Sequence, residues 1–391
     1  MNNKKNIVSI FLIINTFHAI INNMVHPVTP AFIHSLNIGN TVFGLAYAAM
    51  AFSNFVFSFF WGNWVNKYKI KNVYLLSLLG YTLGQLFFMS STTTLQIVLA
   101  RLFAGIFVSG FQVGAMAYII NQSEPTKRAK NLTFYSISNI VAATLGYLIG
   151  GQLGNYSVRI TFLAQVMMLI FVTGMFYFFT NKYPMSRSIY QSKESMVTLL
   201  KQSKGLFNPI LILLLIAIFL TSSGNVAFDQ SFNYYIKDIF DFPPSYNGYL
   251  KVIIGLVTLL SNVFITFKLI QKGRLTLSMA ILASVSTISA LLAVVVNNMI
   301  LFLVFALLFS SIVAILQPLD QHLVSSSQKD LNKSNQVMGI YNATKSLGMI
   351  VGALLSSLFY GVNPKGPFLV SAILFMIAAI ILIKVDRKRS Q

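Results

Sequence analysis

Twelve apolar stretches, joined by loops that are alternately rich and poor in basic residues, restrict this chain more than anything else in its sequence. The stretches lie at about 7–28, 43–63, 73–91, 95–119, 132–153, 158–180, 207–234, 246–267, 275–296, 298–324, 336–359 and 366–384. Each is long enough to cross a hydrocarbon core of roughly 30 Å as an α-helix. Of the 28 Lys and Arg residues, 22 sit at the two ends or on alternate loops. These are Lys4 and Lys5; Lys67, Lys69 and Lys71; Lys127, Arg128 and Lys130; Lys182, Arg187, Lys193, Lys201 and Lys204; Lys268, Lys272 and Arg274; Lys329 and Lys333; and Lys384, Arg387, Lys388 and Arg389. The intervening loops carry only Arg159, Lys237 and Lys365, while Arg101, Lys251 and Lys345 fall within the stretches. Basic residues flanking membrane spans are retained on the cytoplasmic side. The alternation therefore predicts a multi-pass membrane protein with an even number of spans and both termini in the cytoplasm.

Composition agrees. Hydrophobic residues make up 56 % of the chain, charged residues 9 %, and the mean hydropathy is +0.72. An ordinary soluble domain carries about a quarter charged residues. A net charge of +20 would point a soluble protein toward nucleic acid. Here the charge resides in the predicted cytoplasmic loops, where orientation and anionic lipid headgroups account for it. The basic residues form no stripe interleaved with exposed aromatics, so nucleic acid is not an expected partner. Cysteine is absent, which excludes disulfides and thiol chemistry. The first apolar stretch is full-length and has no small-residue cleavage site, so no cleavable signal peptide is expected.

Most connections are short. The exception is Asn181–Lys204, polar and rich in Lys and Ser, which follows the sixth stretch. It divides the chain into a six-helix half at 1–180, a cytoplasmic loop at 181–206 and a second six-helix half at 207–391. Transporters built from repeated halves share this arrangement. The two halves show little repeated sequence, so the count of spans and the central linker carry the inference. Small residues recur inside the spans, as at Gly80–Gly84, Gly105–Gly114 and Gly146–Gly154, where they permit close helix packing.

Pro27-Val28-Thr29-Pro30, then Gly44, then Gly62-Asn63-Trp64-Val65-Asn66-Lys67-Tyr68-Lys69 resembles the start of the twelve-span drug:proton antiporters of the major facilitator superfamily, a family of bacterial efflux transporters. There two prolines close the first span, and a Gly-x-Leu-x-Asp-Arg-x-Gly-Arg-Arg-like loop joins the second and third. Gly62 and the basic Lys67, Lys69 and Lys71 fit that loop. Asn66 stands where the family has Asp, and Lys69 where it has Gly. The family Asp belongs to a charge relay that locks one conformation; the resemblance therefore implies a gate here that is weaker or differently built. In the fourth span Arg101-Leu102-Phe103-Ala104-Gly105, with Gly110 and Gly114, is similar to the family's Arg-x-x-x-Gly motif, whose Arg is implicated in proton coupling. In the fifth, Gly146-Tyr147-Leu148-Ile149-Gly150-Gly151 resembles the Gly-Pro-x-x-Gly-Gly marker of exporters. Tyr147 replaces the proline, which removes the kink and weakens the export signal.

Charged residues inside spans carry most of the functional signal. An Arg at mid-helix costs about 2.5–3.5 kcal/mol on insertion scales, so Arg101 is a functional candidate, against the alternative of snorkelling from about two turns inside its span. Asp229, in Val226-Ala227-Phe228-Asp229-Gln230, lies within the seventh span, where Gram-positive multidrug exporters of the resembled family carry a comparable carboxylate. It is a candidate proton carrier, with a structural hydrogen-bonding role as the alternative. Lys237, eight residues on and so about 12 Å along a helix, is too distant for a local ion pair. Asp320, after Gln317-Pro318 in the tenth span, is either a second proton site or a carboxylate at the inner mouth. Lys345, in the eleventh, either reaches the cytoplasm along its stem or faces the interior to hold an anion. Asn15, His18 and Asn22 in the first span fall on one helical stripe, which suits a pathway lining, and His18 titrates near neutrality.

Other chemistry finds no support. No Gly-x-x-x-x-Gly-Lys-Ser/Thr loop is present for ATP, no clustered His and carboxylates indicate a metal site, and neither a cofactor nor an enzymatic reaction is expected. The reading is an all-α membrane protein of twelve transmembrane helices in two six-helix halves around a central cavity, with the major facilitator fold. The expected function is proton-coupled export of small amphipathic organic molecules by a monomer in the bacterial cytoplasmic membrane. Asp229 would carry protons, with Arg101, His18 and Asp320 in coupling. Asn15, His18, Asn22, Asp229 and Lys345 would meet the small-molecule substrate. Gly62, Asn66, Lys67, Gly146, Gly150 and Gly151 would serve conformational change. Two alternatives keep the fold: a dedicated exporter of an endogenous anionic or zwitterionic metabolite such as a metallophore, and a proton-coupled importer.

Overall fold

A computed structural model describes residues 2–39, 41–124, 127–182, 208–325 and 331–390. Among these residues the secondary structure is helical and contains no strand. The helices are α1 (Asn2–Asn23), α2 (Thr29–Ser35), α3 (Val42–Lys67), α4 (Ile70–Met89), α5 (Thr94–Gln122), α6 (Arg128–Tyr156), α7 (Val158–Lys182), α8 (Pro209–Asp238), α9 (Pro244–Ser261), α10 (Phe267–Lys272), α11 (Leu275–Val295), α12 (Met299–Ser325), α13 (Leu331–Val362) and α14 (Gly366–Ser390). A π-helical stretch, Asn262–Thr266, joins α9 to α10. Eleven of the described helical runs are long and apolar enough to cross a membrane, and α1 adds a shorter apolar run, Ile7–Asn23. The protein is therefore an all-α, multi-pass membrane protein.

Two of the expected stretches differ in form. The stretch read as one span at 7–28 is helical only to Asn23; turns follow, and Pro30 enters the short helix α2 near its start, where its missing N–H is no loss. The stretch read as 246–267 runs on through the π segment to Lys272, where Gly273 adopts φ +74° and ends it. The central loop at 181–206 lies outside the described residues beyond Lys182.

The chain divides into two compact units. Unit 1 comprises Met1–Val42, Ala49–Lys193 and Ile236–Gly255; unit 2 comprises Phe43–Ala48, Glu194–Tyr235 and Leu256–Gln391. In unit 1, α4 packs extensively on α5 and also on α7; in unit 2, α11 packs extensively on α14 and on α12. The third long helix of each set of six thus adjoins the fourth and the sixth.

Glycine seams repeat in the same way. A Cβ at Gly146 or Gly150 on α6 would overlap the carbonyl oxygen of Ile20 or Met24 on α1. In unit 2 a Cβ at Gly348 on α13 would sit 2.7 Å from the Phe219 carbonyl oxygen of α8, and one at Gly352 would overlap that of Ser223. Both seams use glycines four residues apart, so one helix face meets a neighbouring backbone directly, as small residues allow in lipid.

Aromatic side chains fill the rest of unit 1. Phe11, Tyr74, Tyr118 and Phe176 are fully buried; Phe11 meets the other three rings, and Tyr74 stacks on Phe176. Trp61 on α3 donates its indole N–H to the Ile106 carbonyl of α5 at 2.6 Å, and Trp64 packs edge-on against it at 5.3 Å.

Candidate functional site

Unit 2 encloses a polar cavity of about 190 Å³. Three of the charged residues singled out from the sequence meet there: Asp229 from α8, Asp320 from α12 and Lys345 from α13. The Asn233 amide donates to Asp229 Oδ2 at 3.3 Å, one helical turn on. Lys345 Nζ donates to Gln317 Oε1 at 3.3 Å and interacts electrostatically with Asp320, which is 7 % exposed. Tyr47 faces Asp229, and Tyr341 faces Asp320. Thr221, Ser222 and Asn225, close together on α8, complete a hydroxyl- and amide-rich wall. Two carboxylates and one ammonium in a single pocket can exchange protons, hold a cation against Asp229, or hold an anion against Lys345. The pocket also supplies hydrogen bonds to whichever ionic form is present.

Unit 1 carries a second polar cluster, at the end where α1 and α4 finish and α5 and α7 begin. Thr93 caps α5: its hydroxyl accepts from Gln96 N at 3.3 Å while the Gln96 side chain accepts from Thr93 N at 3.3 Å. This fixes the start of the helix and sets Arg101 about two turns inside it. Arg101 is 5 % exposed. Its guanidinium lies 3.6 Å above the centre of the Phe88 ring, and Nη1 points at Met50 Sδ at 3.8 Å. Tyr81 on α4 faces it and stands beside the amides of Gln85 and Gln165. His18 packs edge-on against Phe111 at 4.5 Å, and Phe111 against Tyr81 at 5.7 Å. Gln165 donates from Nε2 to the Ile21 and Asn22 carbonyls at 3.1 and 3.3 Å, which ties α7 to α1.

The structure distributes the other expected residues unequally. Asn15 is engaged in holding helices together: it accepts from Tyr74 Oη at 3.1 Å and donates to Asn139 Oδ1 at 3.4 Å. Asn22 keeps its side-chain oxygen buried and unpartnered. Gly62 has no atom within 4 Å of an added Cβ, so packing does not demand glycine there. Lys67 is exposed at the end of α3, and the side chain of Asn66 is outside the described set. Gly146 and Gly150 face α1, whereas a Cβ at Gly151 would lie 2.9 Å from the Pro244 carbonyl oxygen of α9. The motif at 146–151 is thus a packing seam on two sides of α6. Arg101 and Asp229, read together from the sequence, belong to different units. Tyr47, Thr221, Ser222, Asn225 and Tyr341 in unit 2, and Tyr81, Gln85 and Gln165 in unit 1, escaped the sequence reading. The available signal was a neutral polar side chain recurring inside an apolar span.

This architecture has known counterparts. The profile described as Major Facilitator Superfamily matches residues 11–342. The chain belongs to the major facilitator superfamily. Among relatives of this superfamily, it is 24 % identical over 386 residues to Multidrug resistance protein 2 of Bacillus subtilis (strain 168), covering 96 % of this chain and 94 % of that one. Multidrug resistance protein 1 of the same organism is 22 % identical over 375 residues, covering 93 % and 92 %. Among solved structures, a bacterial homologue of the human lysosomal transporter Spinster, in an inward-facing and unoccupied conformation, superposes with a TM-score of 0.76 at 13 % identity. That match covers 98 % of this chain and 97 % of that one. The major facilitator fold is shared with it, and the protein is a membrane transporter of this superfamily.

Proposed function

We infer that the protein is a proton-driven exporter of small amphipathic organic molecules, monomeric in the bacterial cytoplasmic membrane with both termini inside. The observation that carries this reading is the unit 2 cavity, where Asp229 and Asp320 share a pocket with Lys345. Titratable groups within spans mark ion and proton pathways by default, because placing them there is costly. Asp229 is the main proton carrier, and protonation at either carboxylate changes the charge that a substrate meets. Each inward proton carries about 2.3 kcal/mol per 100 mV of membrane potential, enough to drive export against a gradient. The similarity to two multidrug resistance proteins supports the substrate class.

The test is uphill transport of tetraphenylphosphonium into everted vesicles energised by a proton gradient. Wild type should accumulate it, and Asp229→Asn should abolish the accumulation while counterflow exchange persists. Full uphill transport by Asp229→Asn removes Asp229 from the role, and accumulation in the reverse orientation only would make the protein an importer. Orientation is read separately by single cysteines at Ser192 and Tyr156. An impermeant thiol reagent on intact cells should label position 156 and leave 192 untouched. Tyr156 is 85 % exposed, so access to it is not in question.

A second reading, dedicated export of an anionic or zwitterionic metabolite, is favoured by the cations Arg101 and Lys345. Under it, Lys345→Gln weakens substrate affinity by roughly tenfold or more, since a hydrogen bond to a charged group contributes about 1.5–3 kcal/mol.

A further inference from the structure

The unit 1 cluster holds unused hydrogen-bonding capacity. Gln85 and Gln165 are both 0 % exposed and His18 2 %. The Gln85 side chain makes no well-formed hydrogen bond, its amide meeting only the Tyr81 hydroxyl, and Gln165 Oε1, His18 Nε2 and Asn22 Oδ1 have no partner. Unpaired buried polar atoms cost about 1–3 kcal/mol each, so several gathered at one level mark a place built to receive a polar group. They lie near one level: Asn22, Gln85, His18 and Gln165 all stand within about two turns of the helix ends where α1 and α4 finish and α5 and α7 begin.

Charge selects the group. Arg101 brings a full positive charge, and it points at the thioether sulfur of Met50, a weak acceptor. Phe88 covers one face of the guanidinium plane, which leaves the N–H edge for an in-plane acceptor. The carboxylates of unit 1 are Glu124, Asp238 and Asp241, and each is engaged elsewhere, with Lys127, His34 and Lys237 respectively. No ion pair of Arg101 occurs among the described residues. An arginine edge without a carboxylate fits a planar, two-oxygen anion, which it grips through two parallel hydrogen bonds. The nearby acceptors, Gln85 Oε1, Gln165 Oε1 and Asn22 Oδ1, suit an N–H or O–H donor next to that anion.

We propose that this cluster is a binding site for a carboxylate that has an adjacent N–H or O–H donor, carried by the transported molecule. The proposal rests on the exporter reading and assigns to its substrates amphipathic acids and zwitterions of this pattern beside the cations. Arg101 grips the carboxylate, Gln85 donates to it from Nε2, and the amide oxygens receive the neighbouring donor.

The experiment measures binding to the full chain in lipid nanodiscs by equilibrium dialysis. The probes are hippurate, whose carboxylate adjoins an amide N–H, and hippuramide, its neutral counterpart. Wild type should bind hippurate at least about tenfold more tightly, as charge-assisted bidentate bonds are the strong ones. Arg101→Gln should erase the preference. Gln85→Glu gives the site a carboxylate of its own. It should weaken hippurate at least about tenfold on the same scale, far more than it changes hippuramide, and keep or raise the unfolding temperature. Equal binding of the two probes by wild type, absence of hippurate binding, or wild-type hippurate affinity in Gln85→Glu overturns the proposal. Tetraphenylphosphonium transport by wild type is read alongside. If it persists while hippurate is not preferred, the carboxylate site alone is refuted. If it is absent while hippurate is preferred, the site stands and the cation-export reading falls.

Discussion

The two units build the same frame and fill it with different charges. Each has a pair of glycines four residues apart that sets one helix directly on a neighbour's backbone, Gly146 and Gly150 against α1 and Gly348 and Gly352 against α8. Each holds a cation inside a span, buried in unit 1 and half-buried in unit 2. In unit 2 that cation, Lys345, faces Asp320 and bonds to Gln317. In unit 1 it is Arg101, which rests on an aromatic ring among neutral amides. A delocalised, weakly hydrated guanidinium tolerates such a setting better than a compact ammonium does. The contrast separates two tasks: a pocket with its own carboxylates is suited to moving protons, and one with a cation among neutral groups is suited to holding an anion.

The largest expected effects test the frame. Gly150→Ala and Gly352→Ala should each destabilise the protein by about 3 kcal/mol or more, because the added methyl meets a backbone carbonyl that cannot rotate away. Thermal unfolding in a fixed detergent is the measurement. Gly62→Ala, placed where nothing lies within 4 Å, should be neutral or slightly stabilising. A large loss at one seam and none at the other would break the equivalence of the units.

An intermediate effect tests the charges. Lys345→Met leaves Asp320 without its neighbouring cation and should lower stability by about 1–3 kcal/mol, whereas the double change Lys345→Met with Asp320→Leu should recover part of it. Arg101→Met strands no carboxylate and should change ligand-free stability by less than about 1 kcal/mol. If Arg101→Met proves the more damaging, the guanidinium holds the helices together and is not reserved for a ligand.

The smallest effect lies outside the spans. Lys237 hydrogen-bonds to Asp241 and holds its carboxyl below the ordinary range. With the folded value depressed, any stability from the pair is present above the unfolded value and lost as pH falls through the folded one. Asp241 is fully exposed, so Lys237→Ala should leave the unfolding temperature unchanged between about pH 3 and pH 7. A measurable shift would mean that charge alone, without burial, sets these energies.

Much of this was legible in the sequence, and the physical reasons are specific. Apolar length and the placement of Lys and Arg announce spans because lipid tolerates little else. Arg101, Asp229, Asp320 and Lys345 stood out because a charge in a span is costly wherever it points. Neutral polar residues carry no such mark. Gln85 and Gln165 read like Thr82 or Thr173, whose hydroxyls return to their own helices at 2.8 and 2.7 Å. Only the helix faces distinguish them. Ser245 illustrates the converse. It falls in an apparent loop, yet it is 4 % exposed, and its backbone N–H donates to Asn155 Oδ1 at 3.2 Å beside Gly151. Loop length says nothing about what packs onto a loop.

The indole pair on α3 has a practical consequence. The chain contains two tryptophans, Trp61 and Trp64, and both belong to unit 1. Trp61 is 5 % exposed with its N–H on Ile106, and Trp64 is 41 % exposed. Intrinsic tryptophan fluorescence of the unlabelled protein therefore originates in one unit alone, from one shielded and one accessible emitter. A ligand that shifts the blue part of that emission acts on the α3–α5 contact, while a quencher dissolved in the acyl chains or in water samples Trp64. The native chromophores thus make unit 1 optically visible and leave unit 2 dark.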